Sequence, residues 1–204
     1  MRHKRRDGIE TRHLIVKVSR DLFMELGYRA VSTRKIATAC QITQPTLYHY
    51  FENKEAIYLE VLRTELLETK NQLDQVISNH EDLEECLFQI SYHLLLHVPK
   101  DLSQMEHDIR HELAEQHRGM IFQWWQAAYL TPISTVLEKG MNKGEIRHPS
   151  EYHTTVDSLS MLLLNLIKAY PPSDPSSPEI QIEKRAEEQA RLFTNILLYG
   201  LAPK

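Results

Sequence analysis

STRKIATACQITQPTLYHYFENK, residues 32–54, contains two short amphipathic segments separated by a tight turn. Ser32 and Thr43 each precede one segment, and both are residue types that cap helices with a side-chain oxygen. The inward positions of the two segments are apolar: Ile36, Ala37, Ile42 and Leu47. The pattern predicts a helix-turn-helix, whose second helix enters the major groove of DNA.

The first residues of the second predicted helix suit contacts with base edges. Gln44 can form a bidentate pair with adenine, while Pro45 and the methyl group of Thr46 can pack on the methyl group of thymine. Arg34, early in the preceding helix, can reach guanine or a phosphate. Three rings with polar hydrogens crowd the end of the short helix and suit phosphate contacts: Tyr48, His49 and Tyr50.

Three cations occupy the first turns of predicted helices, namely Arg34, Lys35 and Lys54. A cation at that end opposes the helix dipole and costs roughly 0.3–1 kcal/mol. A phosphate docked on the same helix end would reverse the penalty, because backbone N–H groups already point outward there. A solvated surface charge explains any one of them equally well, but the three together favour a phosphate backbone as partner.

The segments on either side extend this pattern into an amino-terminal head. An apolar stripe predicts a first helix that stops at Gly27. Asn53 can cap a fourth helix that runs to about Ser78. We therefore predict a three-helix DNA-binding domain over residues 1–53, joined by a long helix to a second domain over residues 54–204.

Residues 9–60 resemble the DNA-binding domain of the TetR/AcrR family of transcriptional regulators. The resemblance lies in Leu22-Phe23, Gly27-Tyr28, Ser32–Ala37, and above all Thr46–Phe51 with Lys54. It implies base contacts from Arg34, Gln44, Pro45 and Thr46. It also implies phosphate contacts from Thr33, Tyr48, Tyr50 and Lys54.

One residue departs from the family pattern, because Gln41 stands in the turn where the family commonly has glycine. A left-handed backbone at this position would cost glutamine about 1 kcal/mol more than glycine.

Charge divides the chain in the same way as the motif. Residues 1–56 contain eleven Lys and Arg and six Asp and Glu, which gives them a net charge of +5. The remaining residues have a net charge of −9, so the net charge of the whole chain is −4. A basic head on an acidic body indicates that the head meets the polyanion.

No stretch of about 20 apolar residues or secretory signal is evident, and only Cys40 and Cys86 are present. We therefore expect a cytoplasmic protein without a membrane span or disulfide framework.

The body is also predicted to be helical, which makes the whole chain all-α. We expect helices from Asp82 to Val98, from about Asp101 to His117, and from Arg118 to Asn142 with a perturbation at Pro132. Ser150 can cap the next helix, which ends at Tyr170. After a loop over residues 171–177, Ser177 and Pro178 begin a last helix that runs to about Leu201.

The last two predicted helices are apolar on most sides, so each needs neighbours on most sides. Resemblance to the family implies that they pair with the same helices of a second subunit. The dimer would set two recognition helices roughly 34–36 Å apart, to match a palindromic operator. Complete burial within one subunit is the alternative.

The family pattern also implies an effector pocket among the middle helices. The candidates are aromatic, histidine and methionine residues near the apolar stripes: Tyr92, His93, His97, Met105, Met120, Trp124 and Tyr129. Core packing is the competing interpretation for each of them.

The histidines raise an alternative function, since His93 and His97 have the spacing at which two residues of one helix share a metal ion. Without a third ligand or a catalytic motif, we predict no metal, no cofactor and no enzyme activity. An architectural DNA-binding protein without an effector is a further alternative. The favoured function is a homodimeric repressor that a small-molecule effector releases from operator DNA.

Overall fold

The computed structural model describes residues 2–97, 102–170 and 178–200, which form helices without a strand. It contains α1 (Arg2–Ala30), α2 (Thr33–Ala39), α3 (Gln44–Tyr50), α4 (Lys54–Asn79), α5 (Leu83–His97), α6 (Leu102–Glu112), α7 (Glu115–Trp125), α8 (Thr131–Asn142), α9 (Val156–Ala169) and α10 (Glu179–Tyr199). The predicted all-α class is confirmed. None of the described helices combines the length and apolarity needed to cross a membrane.

The helices pack into two compact units. The first contains Met1–Leu66 and Asp101–Trp124, and the second contains Leu67–Lys100 and Trp125–Lys204. Helix α4 therefore begins in the first unit and ends in the second. The boundary predicted after residue 53 stays a prediction, and the packing adds α6, α7 and the first turns of α4 to the helix-turn-helix.

Side-chain caps begin the helices of the head where the sequence predicts them. The Ser32 hydroxyl accepts a hydrogen bond from the backbone N–H of Lys35 at 3.2 Å. The Thr43 hydroxyl accepts from the N–H of Thr46, and the Asn53 carboxamide oxygen accepts from the N–H of Ala56. Each such cap is worth about 1 kcal/mol. Gly27 has φ 77° and interrupts α1, which confirms the predicted stop.

The core of the first unit forms where α1 to α4 meet. Ile15, Ile36, Leu47 and Ile57 are fully buried there. A cluster of aromatic rings lies in the same core, with centroids 4.8 to 5.8 Å apart: Phe23, Tyr28 and Tyr58. Burial on this scale fixes the short helices α2 and α3, which are too short to be stable alone.

The predicted single helix from Asp101 to His117 is wrong, because α6 ends at Glu112 and α7 begins at Glu115. The Glu55 carboxylate accepts a hydrogen bond from the N–H of Ala114 at 3.0 Å and lies 2.8 Å from Nδ1 of His117. This side chain from α4 satisfies the first turn of α7 in place of a local cap, so the chain can break where its own sequence gives no signal.

The second unit surrounds the buried helices α5 and α8. Leu87, Ile90, Ile133 and Leu137 are fully buried there. Gly140 allows the two helices to approach closely, since a Cβ atom on it would lie 2.6 Å from Cδ2 of Leu83. Helix α10 packs against α5 through three residues of one face: Ala186, Ala190 and Phe193.

Two irregular segments differ from the predicted helices of the body. A π-helical turn, Gln126–Leu130, precedes Pro132, which has no N–H and whose ring would collide with the carbonyl four residues earlier. The perturbation at Pro132 is therefore confirmed. The predicted cap at Ser150 is wrong, because Thr155 caps α9 by accepting from the N–H of Ser158 at 3.1 Å. Residues 171–177 lie outside the described residues.

Candidate nucleic-acid interface

Helices α2 and α3 form the predicted helix-turn-helix, and α3 lies at the surface of the first unit. Gln41 has φ 56°, and the N–H of Ile42 donates to the carbonyl of Ala37 at 3.0 Å to close the turn. Leu47 is the buried residue of α3 and is fully inaccessible. Tyr50 is half-buried and packs against the core beside it, while Pro45, Thr46, Tyr48 and His49 are exposed.

Most of the predicted DNA-contacting residues are accessible. The exposed ones are Arg34, Pro45, Thr46, Tyr48 and His49. The half-buried ones are Thr33, Gln44, Tyr50 and Lys54. The amino-terminal turn of α3 is therefore accessible from outside the first unit.

A chain of polar side chains joins the first residues of α2 and α3. Nε2 of Gln44 donates to the Thr33 hydroxyl at 3.4 Å. The same hydroxyl lies 3.1 Å from the phenol oxygen of Tyr48. Gln44 and Tyr48 are four residues apart and share one face of α3. Predicted base-contacting and phosphate-contacting groups are therefore linked through one hydroxyl.

The Thr46 hydroxyl is directed towards the protein. It lies 2.8 Å from the hydroxyl of Thr43, the residue that caps α3. The Thr46 hydroxyl is therefore engaged by another residue of the protein, and its contact with a base stays a prediction. A methyl group in this position suits the C5-methyl group of thymine, as the sequence predicts.

The cations of the site occupy two different environments. Arg34 and Lys35 are exposed in the first turn of α2, where the helix dipole disfavours a cation that has no anionic partner. Nζ of Lys54 instead donates to the carbonyl of Tyr28 at 2.9 Å and lies 3.9 Å from the ring centroid of Tyr28. Burial lowers the pKa of Lys54. A phosphate contact of Lys54 stays a prediction.

The residues that hold α1 and α6 together were not predicted from the sequence. The N–H of Tyr28 donates to the buried carboxylate of Asp108 at 3.0 Å, and Nε of Arg29 lies 2.8 Å from Glu112. Partners about 80 residues apart leave no local pattern in the sequence. The sequence indicates this contact only through residue type, because Asp108 and Glu112 are acidic residues of α6 and the head is basic.

Three of the predicted effector-binding residues lie in the first unit. Met105 and Trp124 are half-buried and pack against its hydrophobic core. Met120 is half-buried on α7. Core packing accounts for Met105 and Trp124, and effector contact stays a prediction for all three.

The other four candidates lie in the second unit. The Tyr92 ring is stacked on Phe88 at 6.0 Å, and Tyr129 packs against the core. The rings of His93 and His97 are stacked at 4.3 Å. Burial, and then the proximity of His97, lower the pKa of His93. Its Nε2 lies 3.2 Å from Oε1 of Gln72.

Metal ligation would require a third donor beside this histidine pair. Nδ1 of His97 is occupied by the carbonyl of His93 at 2.8 Å. Within the described residues, His, Cys, Asp and Glu do not form a group of three that could hold a metal ion. His107 and His111 are exposed on α6, on the side away from the buried Leu113, as predicted.

Comparison with known proteins places the head in a family. The family described as "Bacterial regulatory proteins, tetR family" matches residues 15–61. The chain is 25% identical over 175 residues to the uncharacterized HTH-type transcriptional regulator YhgD of Bacillus subtilis, covering 82% of this chain and 90% of that protein. It is 23% identical over 199 residues to the HTH-type transcriptional repressor KstR2 of Rhodococcus jostii, covering 92% and 89%.

Solved structures share the fold over nearly the whole chain. The regulator FadR of Bacillus subtilis in complex with stearoyl-CoA aligns with a TM-score of 0.70 at 18% identity, covering 93% of this chain and 99% of that one. AibR in complex with isovaleryl coenzyme A and operator DNA aligns with a TM-score of 0.67 at 21% identity, covering 92% and 98%. At these identities the likeness concerns the fold.

Proposed function

Because the chain is a transcriptional regulator of the TetR family, we propose that it is a homodimeric repressor that binds palindromic operator DNA and is released by a small-molecule effector. The observation that carries the proposal is the accessible first turn of α3, in which Gln44 is half-buried and Pro45 and Thr46 are exposed. It lies beside the cationic first turn of α2, to which Gln44 is hydrogen-bonded through Thr33. Base-reading groups flanked by phosphate-binding groups are what sequence-specific binding requires.

Apolar residues on the last two helices support the homodimer. Leu162 on α9 and Leu192 on α10 are each 46% exposed. Leu166 and Ile196, which follow them one turn later, are half-buried. These strips lie beside the faces that are buried within the second unit. A second subunit that covered them would bury apolar area worth about 25 cal/mol per Å².

Effector release requires a ligand whose affinity differs between the DNA-binding arrangement and another arrangement of the two heads. Acyl-coenzyme A thioesters are the first compounds to test, since two proteins of the same fold are described in complex with them. We further propose a cytoplasmic location and no catalytic activity, in keeping with relatives that are described as transcriptional regulators.

Binding of the full-length chain to the intergenic DNA upstream of its own gene tests the proposal. We expect a gel shift on a palindromic segment that weakens steeply between about 50 and 200 mM salt, because phosphate contacts release counterions. Addition of an effector should reverse the shift. The absence of salt-sensitive binding to any palindrome would end the proposal.

A further inference from the structure

We propose that Thr33 is a positioning residue that makes Gln44 select adenine over guanine. This inference rests on the proposed binding to operator DNA. Its basis is the hydrogen bond of 3.4 Å from Nε2 of Gln44 to the Thr33 hydroxyl, which joins the first residues of α3 and α2. The contact lies beside the exposed surface that would face the bases.

The chemistry of the carboxamide gives this contact its consequence. A glutamine side chain has two N–H donors and one carbonyl acceptor. When Thr33 takes one N–H, the outward-facing groups are the second N–H and the oxygen Oε1. One donor beside one acceptor complements adenine, which presents the acceptor N7 and the amino group N6 in the major groove.

Guanine presents two acceptors, N7 and O6, at the same edge. A free carboxamide can turn its NH₂ group towards both of them, but a carboxamide held by Thr33 would place Oε1 against an acceptor. Rejection of guanine therefore depends on the Thr33 hydroxyl. Loss of that hydroxyl should relax the preference from adenine to either purine.

The contact with Tyr48 extends the same chain. If Thr33 accepts from Gln44, its own proton can be donated to the phenol oxygen of Tyr48, 3.1 Å away. The phenol proton is then available for a phosphate of the DNA backbone. Neighbouring hydrogen bonds in such a chain strengthen one another. A phosphate bound by Tyr48 would thus help to hold the amide orientation that reads adenine.

The experiment is a selection from a pool of random duplexes with the full-length chain, followed by affinity measurements on the selected site. Gln44→Ala identifies the base position that Gln44 reads. At this position we expect the unaltered chain to prefer adenine over guanine by about tenfold. Thr33→Val, which replaces the hydroxyl with a methyl group of similar size, should reduce that preference to less than about twofold. Thr33→Ser should restore it.

A preference that Thr33→Val leaves at its original value would overturn the inference. So would a chain that accepts both purines equally before any substitution, and this measurement needs no variant to fold. Lys35→Ala is the matched control, because this exposed cation in the first turn of α2 lies outside the hydrogen-bond chain. It should weaken binding to every sequence but retain the adenine preference. A pool that yields no enriched site would remove the proposed function, and the inference with it.

Discussion

Gln41 adopts a left-handed backbone conformation, φ 56°, in the turn between α2 and α3. Its side chain is exposed and nothing in its surroundings requires glutamine. A residue with a Cβ atom in this region is strained by roughly 1–2 kcal/mol, a cost that glycine avoids. The sequence therefore predicted both the turn and its strain from a single departure from the family pattern.

We predict that Gln41→Gly raises the free energy of unfolding by about 1 kcal/mol, because glycine relieves the strain of the left-handed backbone. The greater freedom of glycine in the unfolded chain offsets part of this gain. Gln41→Ala is the control, because it removes the side chain but keeps the strained Cβ, and it should give no such gain. Urea denaturation followed by circular dichroism measures both. A destabilised Gln41→Gly variant would show that the strain argument is wrong.

The environment of Lys54 marks the limit of prediction for a single residue. Its position in the first turn of α4 indicates a phosphate-binding cation, yet its ammonium group contacts the carbonyl and the ring of Tyr28. Tyr28 lies 26 residues earlier, after the break in α1 at Gly27. The local sequence shows a lysine in the first turn of a helix, but it cannot show that tertiary folding brings Tyr28 into contact with it.

Among the helices, the break between α6 and α7 depends on a residue of α4. Glu55 binds the N–H of Ala114 and the ring of His117, and these hydrogen bonds, first that of Ala114, hold the pKa of Glu55 below its usual value. A carboxylate with a lowered pKa stabilises the fold at pH values above its ordinary pKa. The stabilisation is lost as the pH falls through the lowered pKa.

We predict that Glu55→Ala lowers the free energy of unfolding by roughly 1.5–3 kcal/mol at pH 7, the range for hydrogen bonds to a charged group. The difference from the unaltered chain should be full above about pH 4.5 and shrink as the pH falls below it. Thermal melts between pH 3.5 and 7.5 measure it. Glu52→Ala, a change at an exposed acid near the start of α4, serves as control and should have little effect at any pH.

An unchanged melting temperature for Glu55→Ala at pH 7 would contradict this account of the break. Helix prediction succeeded where the cap is local, as at Ser32, Thr43 and Asn53. It failed where the cap comes from a distant helix, as at Ala114. At α9 it chose Ser150 over Thr155, because both are good caps and only the turn over Pro149–Tyr152 separates them.

At the scale of the whole molecule, the proposed binding to a palindrome requires two copies of the chain. The exposed leucines of α9 and α10 support an interface between subunits, and their exposure means that substituting them removes little packing within one chain. The apolar pattern of these helices was readable from the sequence. The division of these apolar residues into a buried face and an exposed strip could not be predicted from the sequence, because it depends on how α10 packs on α5.

We predict that Leu192→Arg and Leu162→Arg convert a dimer into a monomer, because each would bury an unpaired charge in the interface. Light scattering after size-exclusion chromatography should give twice the chain mass of 23.9 kDa for the unaltered protein and the single mass for both variants. Leu67→Arg, at another exposed leucine on α4, should stay dimeric. A dimer that survives both substitutions would place the interface elsewhere.

We propose that the first turn of α3 reads bases. A comparison of the affinity for the selected duplex with that for a scrambled duplex of the same composition tests this claim. The unaltered chain should prefer the selected duplex by at least about 10³-fold. The triple variant Gln44→Ala, Pro45→Ala, Thr46→Ala should retain weak, salt-sensitive binding to both duplexes but lose most of that preference. A triple variant that folds and keeps the full preference would contradict the claim.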